Sequence, residues 1–114
     1  MNPDLEKAME GAGARLHVRY PWWLRPFVCH DTLAITLGRR IYIAAPGEGA
    51  AFDRLLRHEL VHVRQAGECG TARFLWRYLA EYLRNRRGGL DHAAAYRAIS
   101  FEVEAFAAER DQPL

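Results

Sequence analysis

Phe52-Asp53-Arg54-Leu55-Leu56-Arg57-His58-Glu59-Leu60-Val61-His62 is the stretch on which the reading of this chain turns. Phe52, Leu55, Leu56, Leu60 and, just beyond it, Val63 recur at the three- and four-residue spacing of an amphipathic helix. The pattern predicts a helix over about residues 48–66, with Gly67 and Gly70 to stop it. On that helix His58 and His62 stand one turn apart on one face, so two imidazole nitrogens can meet a single ion. Glu59 follows His58 directly, and its carboxylate can reach a water on that ion. Zinc takes neutral imidazole, favours four ligands, and in catalytic sites leaves the fourth place to water. A neighbouring carboxylate can take that water's proton and pass it to a leaving amine. HExxH on a helix is suited to this peptide-hydrolysing chemistry. The flanks are apolar, and a half-buried His/Glu/His group with no cation would be costly.

Upstream, Asn2-Pro3 reads as a helix start, with Asn2 as cap and Pro3 at the first helical position; Gly11 and Gly13 end it. Leu16, Val18 and Tyr20 alternate with His17 and Arg19 as in a strand. Pro21-Trp22-Trp23-Leu24-Arg25-Pro26 reads as an irregular aromatic loop whose tryptophans cover the core. Leu33-Ala34-Ile35-Thr36-Leu37 and Ile41-Tyr42-Ile43-Ala44, joined by Gly38-Arg39-Arg40, read as an antiparallel hairpin. Downstream, Thr71 caps a helix over about residues 72–87, with Phe74, Leu75, Tyr78, Leu79, Tyr82 and Leu83 on one face. Gly88-Gly89 breaks it, and Asp91 caps a last helix to about residue 109. The expected architecture is α+β: a small antiparallel sheet, then an active-site helix, a linking helix and a final helix, in one domain over residues 1–114.

Two histidines do not complete a metal site. The three-histidine pattern HExxHxxGxxH needs Gly at 65 and His at 68, where this chain has Gln65 and Glu68. Glu68 itself follows too closely to fold back easily. A later glutamate is the other route. Placed at about 100° per residue, Tyr96, Ile99, Val103 and Phe106 with Ala95, Ala98 and Ala105 form one apolar arc of the last helix. Glu102 falls inside that arc, and Glu104 falls opposite it. A carboxylate in an apolar stripe must be paired or bind metal, so Glu102 is the favoured third ligand and Glu104 the alternative. The bland reading of Glu102 is an ion pair with Arg57 or Arg64. Glu81, between Arg77 and Arg84, reads as a solvated helix charge.

The bulk properties exclude several classes. The chain has 114 residues, a net charge of +2, and Lys7 as its single lysine. This balance does not suit nucleic acid, which asks for a concentrated basic face. Arg84-Asn85-Arg86-Arg87 reads as the solvated cationic end of a helix. No stretch reaches the length of a membrane span, and the first residues lack the pattern of a signal peptide. Cys29 and Cys69 are then expected to be reduced thiols, and the chain cytoplasmic. His30 and His92 lie outside the metal pattern.

HELVH followed by Ser100-Phe101-Glu102-Val103-Glu104-Ala105-Phe106 resembles the gluzincin zinc metallopeptidases, which add a downstream glutamate to HExxH. The later segment is similar to the FExxAD stretch of CAAX prenyl endopeptidases and HtpX-type membrane peptidases, and to the ExEAxxFA stretch of ImmA/IrrE-type peptidases. Size and element order look most like the soluble minimal gluzincins. The resemblance spans about residues 33–109. It implies a zincin-like fold, a Zn2+ cofactor held by His58, His62 and Glu102, and Glu59 as general base of an endopeptidase acting on extended polypeptide. It implies a strand along the cleft that pairs with substrate, for which Ile41-Tyr42-Ile43 is the natural candidate. It also implies a donor to the oxyanion, for which Tyr96 is the candidate, with core packing as its alternative role. Many gluzincins carry Asp four residues after the ligand glutamate to orient the first histidine. This chain has Phe106 there, so another group must do that. The alternative function is a zinc-binding accessory domain without turnover, in which the helix 74–83 and the Trp22-Trp23 loop contact a partner or a membrane surface.

Overall fold

A computed structural model of the chain describes residues 2–27 and 33–111. Helix α1 (Pro3–Ala12) starts as its sequence predicts: the Asn2 side chain accepts a hydrogen bond of 2.8 Å from the Asp4 amide, with Pro3 just inside. It runs through Gly11 and ends at Gly13, whose φ of 67° is the left-handed conformation that glycine adopts without strain. Strands β1 (Arg15–Val18), β2 (Ala34–Leu37) and β3 (Arg40–Ile43) follow, then α2 (Ala50–Cys69), α3 (Thr71–Arg87), α4 (His92–Arg97) and α5 (Ser100–Asp111). The domain is α+β, as expected, with a three-stranded sheet ahead of the main helices.

The sheet is mixed, not wholly antiparallel. β2 and β3 form the predicted hairpin, but β1 pairs with β3 in parallel, giving the order β1-β3-β2. β3 is therefore the central strand. A strand with both edges already hydrogen-bonded cannot take up another chain, so Ile41-Tyr42-Ile43 does not serve as the substrate-pairing edge. These three residues are instead buried. Among the described residues the edge strands are β1 and β2, and β2 lies against α2.

Leu56, Val63, Ile41, Ile43, Leu5 and Met9 make one core cluster between the sheet, α1 and α2. Leu56 has no exposed surface at all. Leu56→Ala is expected to cost about 2–5 kcal/mol, measurable as a lower midpoint of urea unfolding. The aromatic loop is less central than predicted. Trp23 meets the edge of the Tyr42 ring at 6.2 Å, whereas Trp22 is 82% exposed and covers little. A short 3-10 turn at Arg25–Phe27 also forms where no regular structure was expected.

The C-terminal half departs from its sequence reading in one consequential way. The predicted single helix to residue 109 is two helices, α4 and α5, broken around Ala98 and Ile99. Asp91 does cap α4, accepting from the Ala94 amide. The start of α5 is fixed from outside: the Ser100 amide and hydroxyl donate to the Glu81 carboxylate at 3.0 and 2.8 Å. Glu81 is thus a cap from α3 and not a simple solvated charge. A carboxylate suits the positive end of α5. The break changes which residues face inward: Phe101, Glu102 and Ala105 are buried, while Val103, expected in the apolar arc, is 54% exposed.

Candidate metal centre

Helix α2 presents His58, Glu59 and His62 towards the side where α5 packs, and all three are buried. Glu102 of α5 meets them. Its Oε1 lies 2.7 Å from His58 Nε2 and 3.0 Å from His62 Nε2. The ligand atoms of His58, His62 and Glu102 all fall within 4.8 Å of one another.

The partners around this group decide what the convergence means. His58 Nδ1 lies 2.9 Å from Glu109 Oε2, and His62 Nδ1 lies 2.8 Å from Gln65 Oε1. The Gln65 amide nitrogen donates to the Phe101 carbonyl and to Glu104, so its oxygen is the atom left to accept. An ionised Glu109 can only accept. With a cation bound, each imidazole can keep its proton on Nδ1 and turn the lone pair of Nε2 towards the point that it shares with Glu102. In that tautomer three electron-pair donors face one point, an arrangement that a cation would join. The donor set fits zinc, which takes imidazole nitrogen and carboxylate oxygen. Together these residues form a buried group that could hold a metal ion.

Without a metal the same contacts act as hydrogen-bonded ion pairs, and the titration of the group shows that attraction. Burial alone would lower both histidines, but hydrogen bonds to Glu102 and its charge outweigh burial and raise them. Burial would raise Glu102, yet its hydrogen bonds to His58 and His62, followed by the charge of His62, bring it down to about 2. Glu102 therefore stays ionised throughout the range in which it would be asked to bind a cation.

Glu109 is the group that the sequence pattern left open. The aspartate position of the resembled families is Phe106, whose ring instead packs edge-on against the His58 ring at 4.5 Å. The carboxylate that orients His58 comes one turn later, from Glu109. Such outer partners are worth roughly 10–100-fold in metal affinity. Glu109→Gln is expected to weaken zinc binding by about that factor, read by competition with a chromogenic chelator. An unchanged affinity would show that His58 needs no such support.

The remaining glutamates sort clearly. Glu104 pairs with Arg64 and Gln65 at 2.6 Å each and lies outside the cluster. Glu68 pairs with Arg64 at 3.4 Å on the surface of α2. Glu102 bonds to His58, His62 and Tyr78, and the Tyr96 phenol also reaches it, whereas Arg64 pairs with Glu68 and Glu104. Tyr78 belongs to the apolar face that its spacing in α3 predicts. Its hydroxyl donates to Glu102 Oε2 at 2.5 Å, leaving Oε1 for the histidines. A tyrosine at core spacing gives no sign in sequence of this role. His92 bonds to the Tyr82 hydroxyl at 2.9 Å, away from the centre. His30 and Cys29 lie outside the described residues.

Glu59 stands beside the cluster and does not join it. Thr36 of β2 donates its hydroxyl to Glu59 Oε2 at 2.7 Å. Burial pushes the Glu59 carboxyl up, against the opposing pull of His62 and the Thr36 hydrogen bond. Tyr96 packs against Phe106 at 6.1 Å. Burial first, and then the charge of Glu102, holds its phenol up, so it remains protonated and able to donate.

Residues 29–70 are similar to a family model described as the eCIS core domain. This stretch takes in β2, β3 and all of α2 with HELVH, but is less than half of the chain and stops before Glu102. No curated protein and no solved structure matches the chain. No helix among the described residues is long and apolar enough to cross a membrane.

Proposed function

We propose that this chain is a zinc-dependent endopeptidase of the gluzincin type. One observation carries the reading: Glu102 of α5 converges with His58 and His62 on a single point, with Glu59 held alongside by Thr36. When bound, zinc supplies a Lewis acid that polarises a carbonyl and acidifies water. The chain's own residues account for the rest. Glu109 and Gln65 hold the imidazole protons on Nδ1. Glu102 supplies the anionic ligand. Glu59, raised by burial, accepts a proton from water and returns it to the departing amine. Tyr96, whose phenol stays protonated, is the proposed donor to oxygen that gains charge.

Substrate geometry follows from the strand order. Among the described residues no strand pairs with the outer edge of β2. β2 also carries Thr36, the residue that touches Glu59. An extended polypeptide adding to this edge would run past the base, with backbone hydrogen bonds giving affinity that tolerates varied sequence.

The test is cleavage of an unfolded polypeptide by the zinc-loaded chain, followed by mass spectrometry. Fragments that vanish on chelation and return with zinc are expected. Tight zinc binding with no fragments would discard the enzyme reading in favour of a zinc-binding accessory domain.

A further inference from the structure

Helix α3 has two faces of opposite use. Its inner face docks on α4 and α5: the Phe74 ring lies 4.5 Å from that of Phe101, Tyr78 bonds to Glu102, and the Asn85 amide donates to the Ala95 carbonyl. About half a turn away, Trp76, Leu79 and Leu83 share one stripe of the helix surface. They are 70%, 50% and 53% exposed. Nothing among the described residues covers them.

The charges beside this stripe have one sign. Arg73 and Arg84 flank it on one side and Arg86 on the other, with Arg87 at its end, and all four are exposed. None makes an ion pair or side-chain hydrogen bond among the described residues. The lone acid of α3, Glu81, lies towards the inner face and is engaged by Ser100. A tryptophan and two leucines bordered by free guanidiniums, with no acid between them, match what an anionic lipid surface asks for. Apolar side chains enter the acyl boundary, and arginines stay with the headgroup phosphates. A second copy of the chain fits poorly, since it would set two such arginine groups against each other.

We propose that the outer face of α3 docks flat on a bilayer leaflet rich in anionic lipid. The docking uses none of the metal ligands, so it stands apart from the peptidase reading. It leaves Tyr78 on the opposite face of the same helix, still bonded to Glu102.

The test is sedimentation with large unilamellar vesicles of phosphatidylcholine, alone or with about a third phosphatidylglycerol. The full chain is expected to pellet with the anionic vesicles only, and less so as salt rises. Replacing Arg84, Arg86 and Arg87 together by Gln should weaken binding roughly a hundredfold, at about fivefold per arginine. Leu79→Ser with Leu83→Ser should weaken it comparably while the circular-dichroism melt is kept. In a Trp22→Phe, Trp23→Phe background, the emission of Trp76 should shift to the blue on anionic vesicles. Zinc-loaded and zinc-free chains should bind alike. The proposal is overturned if α3 variants bind as the parent does, or if anionic vesicles capture nothing at low salt. Binding to soluble polyglutamate but not to vesicles would also overturn it, as would a stable dimer that Leu79→Glu splits.

Discussion

Replacing Glu102 by Ala is expected to lower zinc affinity by more than about a hundredfold, while Glu104→Ala leaves it nearly unchanged. The two residues are neighbours on α5, yet their surroundings differ completely. Glu102 is buried, and its Oε1 faces both Nε2 atoms at 2.7 and 3.0 Å. Glu104 is exposed and bound to Arg64 and Gln65. Loss of a direct ligand should exceed the roughly 10–100-fold effect of removing an outer partner. Glu102→Ala also leaves the Tyr78 hydroxyl without its acceptor, which is destabilising in itself. Glu102→Gln is the companion variant, because it keeps the shape and an acceptor oxygen but removes the charge. Calorimetric titration of each variant with zinc is the measurement. Equal losses for positions 102 and 104 would mean that Glu102 is not the third ligand.

The second large effect is expected at Glu59. Glu59→Gln should retain one zinc per chain and reduce peptide cleavage by roughly 10²–10⁴-fold, the range for removing a positioned general base. The amide can still accept the Thr36 hydroxyl bond of 2.7 Å, so geometry is preserved and proton transfer alone is lost. Burial raises the Glu59 carboxyl, which brings its affinity for a proton closer to what catalysis near neutral pH requires. Cleavage assays run beside metal analysis separate the outcomes. A Glu59→Gln chain that cleaves as fast as its parent would exclude Glu59 as the base. One that loses its zinc would show a structural role instead.

The metal group was largely legible in sequence, and for local reasons. Helical period places His58 and His62 together because neighbours four apart always share a face. A carboxylate among apolar residues picks out Glu102 because an unpaired buried charge is too costly to persist. The latter inference rested on a helix that is in fact broken. Glu102 is buried in α5 all the same, but Val103 is not. No Gly or Pro marks that break, since residues 92–109 contain neither. It is made by Glu81, a side chain from another helix that binds the first amide of α5.

The short-range pattern of the chain therefore determined the HELVH helix, the hairpin, the cap at Asn2 and the identity of the three candidate ligands. Each depends on backbone geometry that repeats over a few residues. Tertiary structure alone decided that β3 is the central strand, that β1 joins it in parallel, and that β2 is the edge beside Glu59. It alone brought Glu109, Gln65, Tyr78 and Thr36 to the candidate ligands and to Glu59. Three of these four contacts join elements distant in the chain, and the fourth, Gln65 on His62, is fixed by its bonds to α5. No local period encodes such pairings, because they arise only when separate hydrophobic faces have closed on one another.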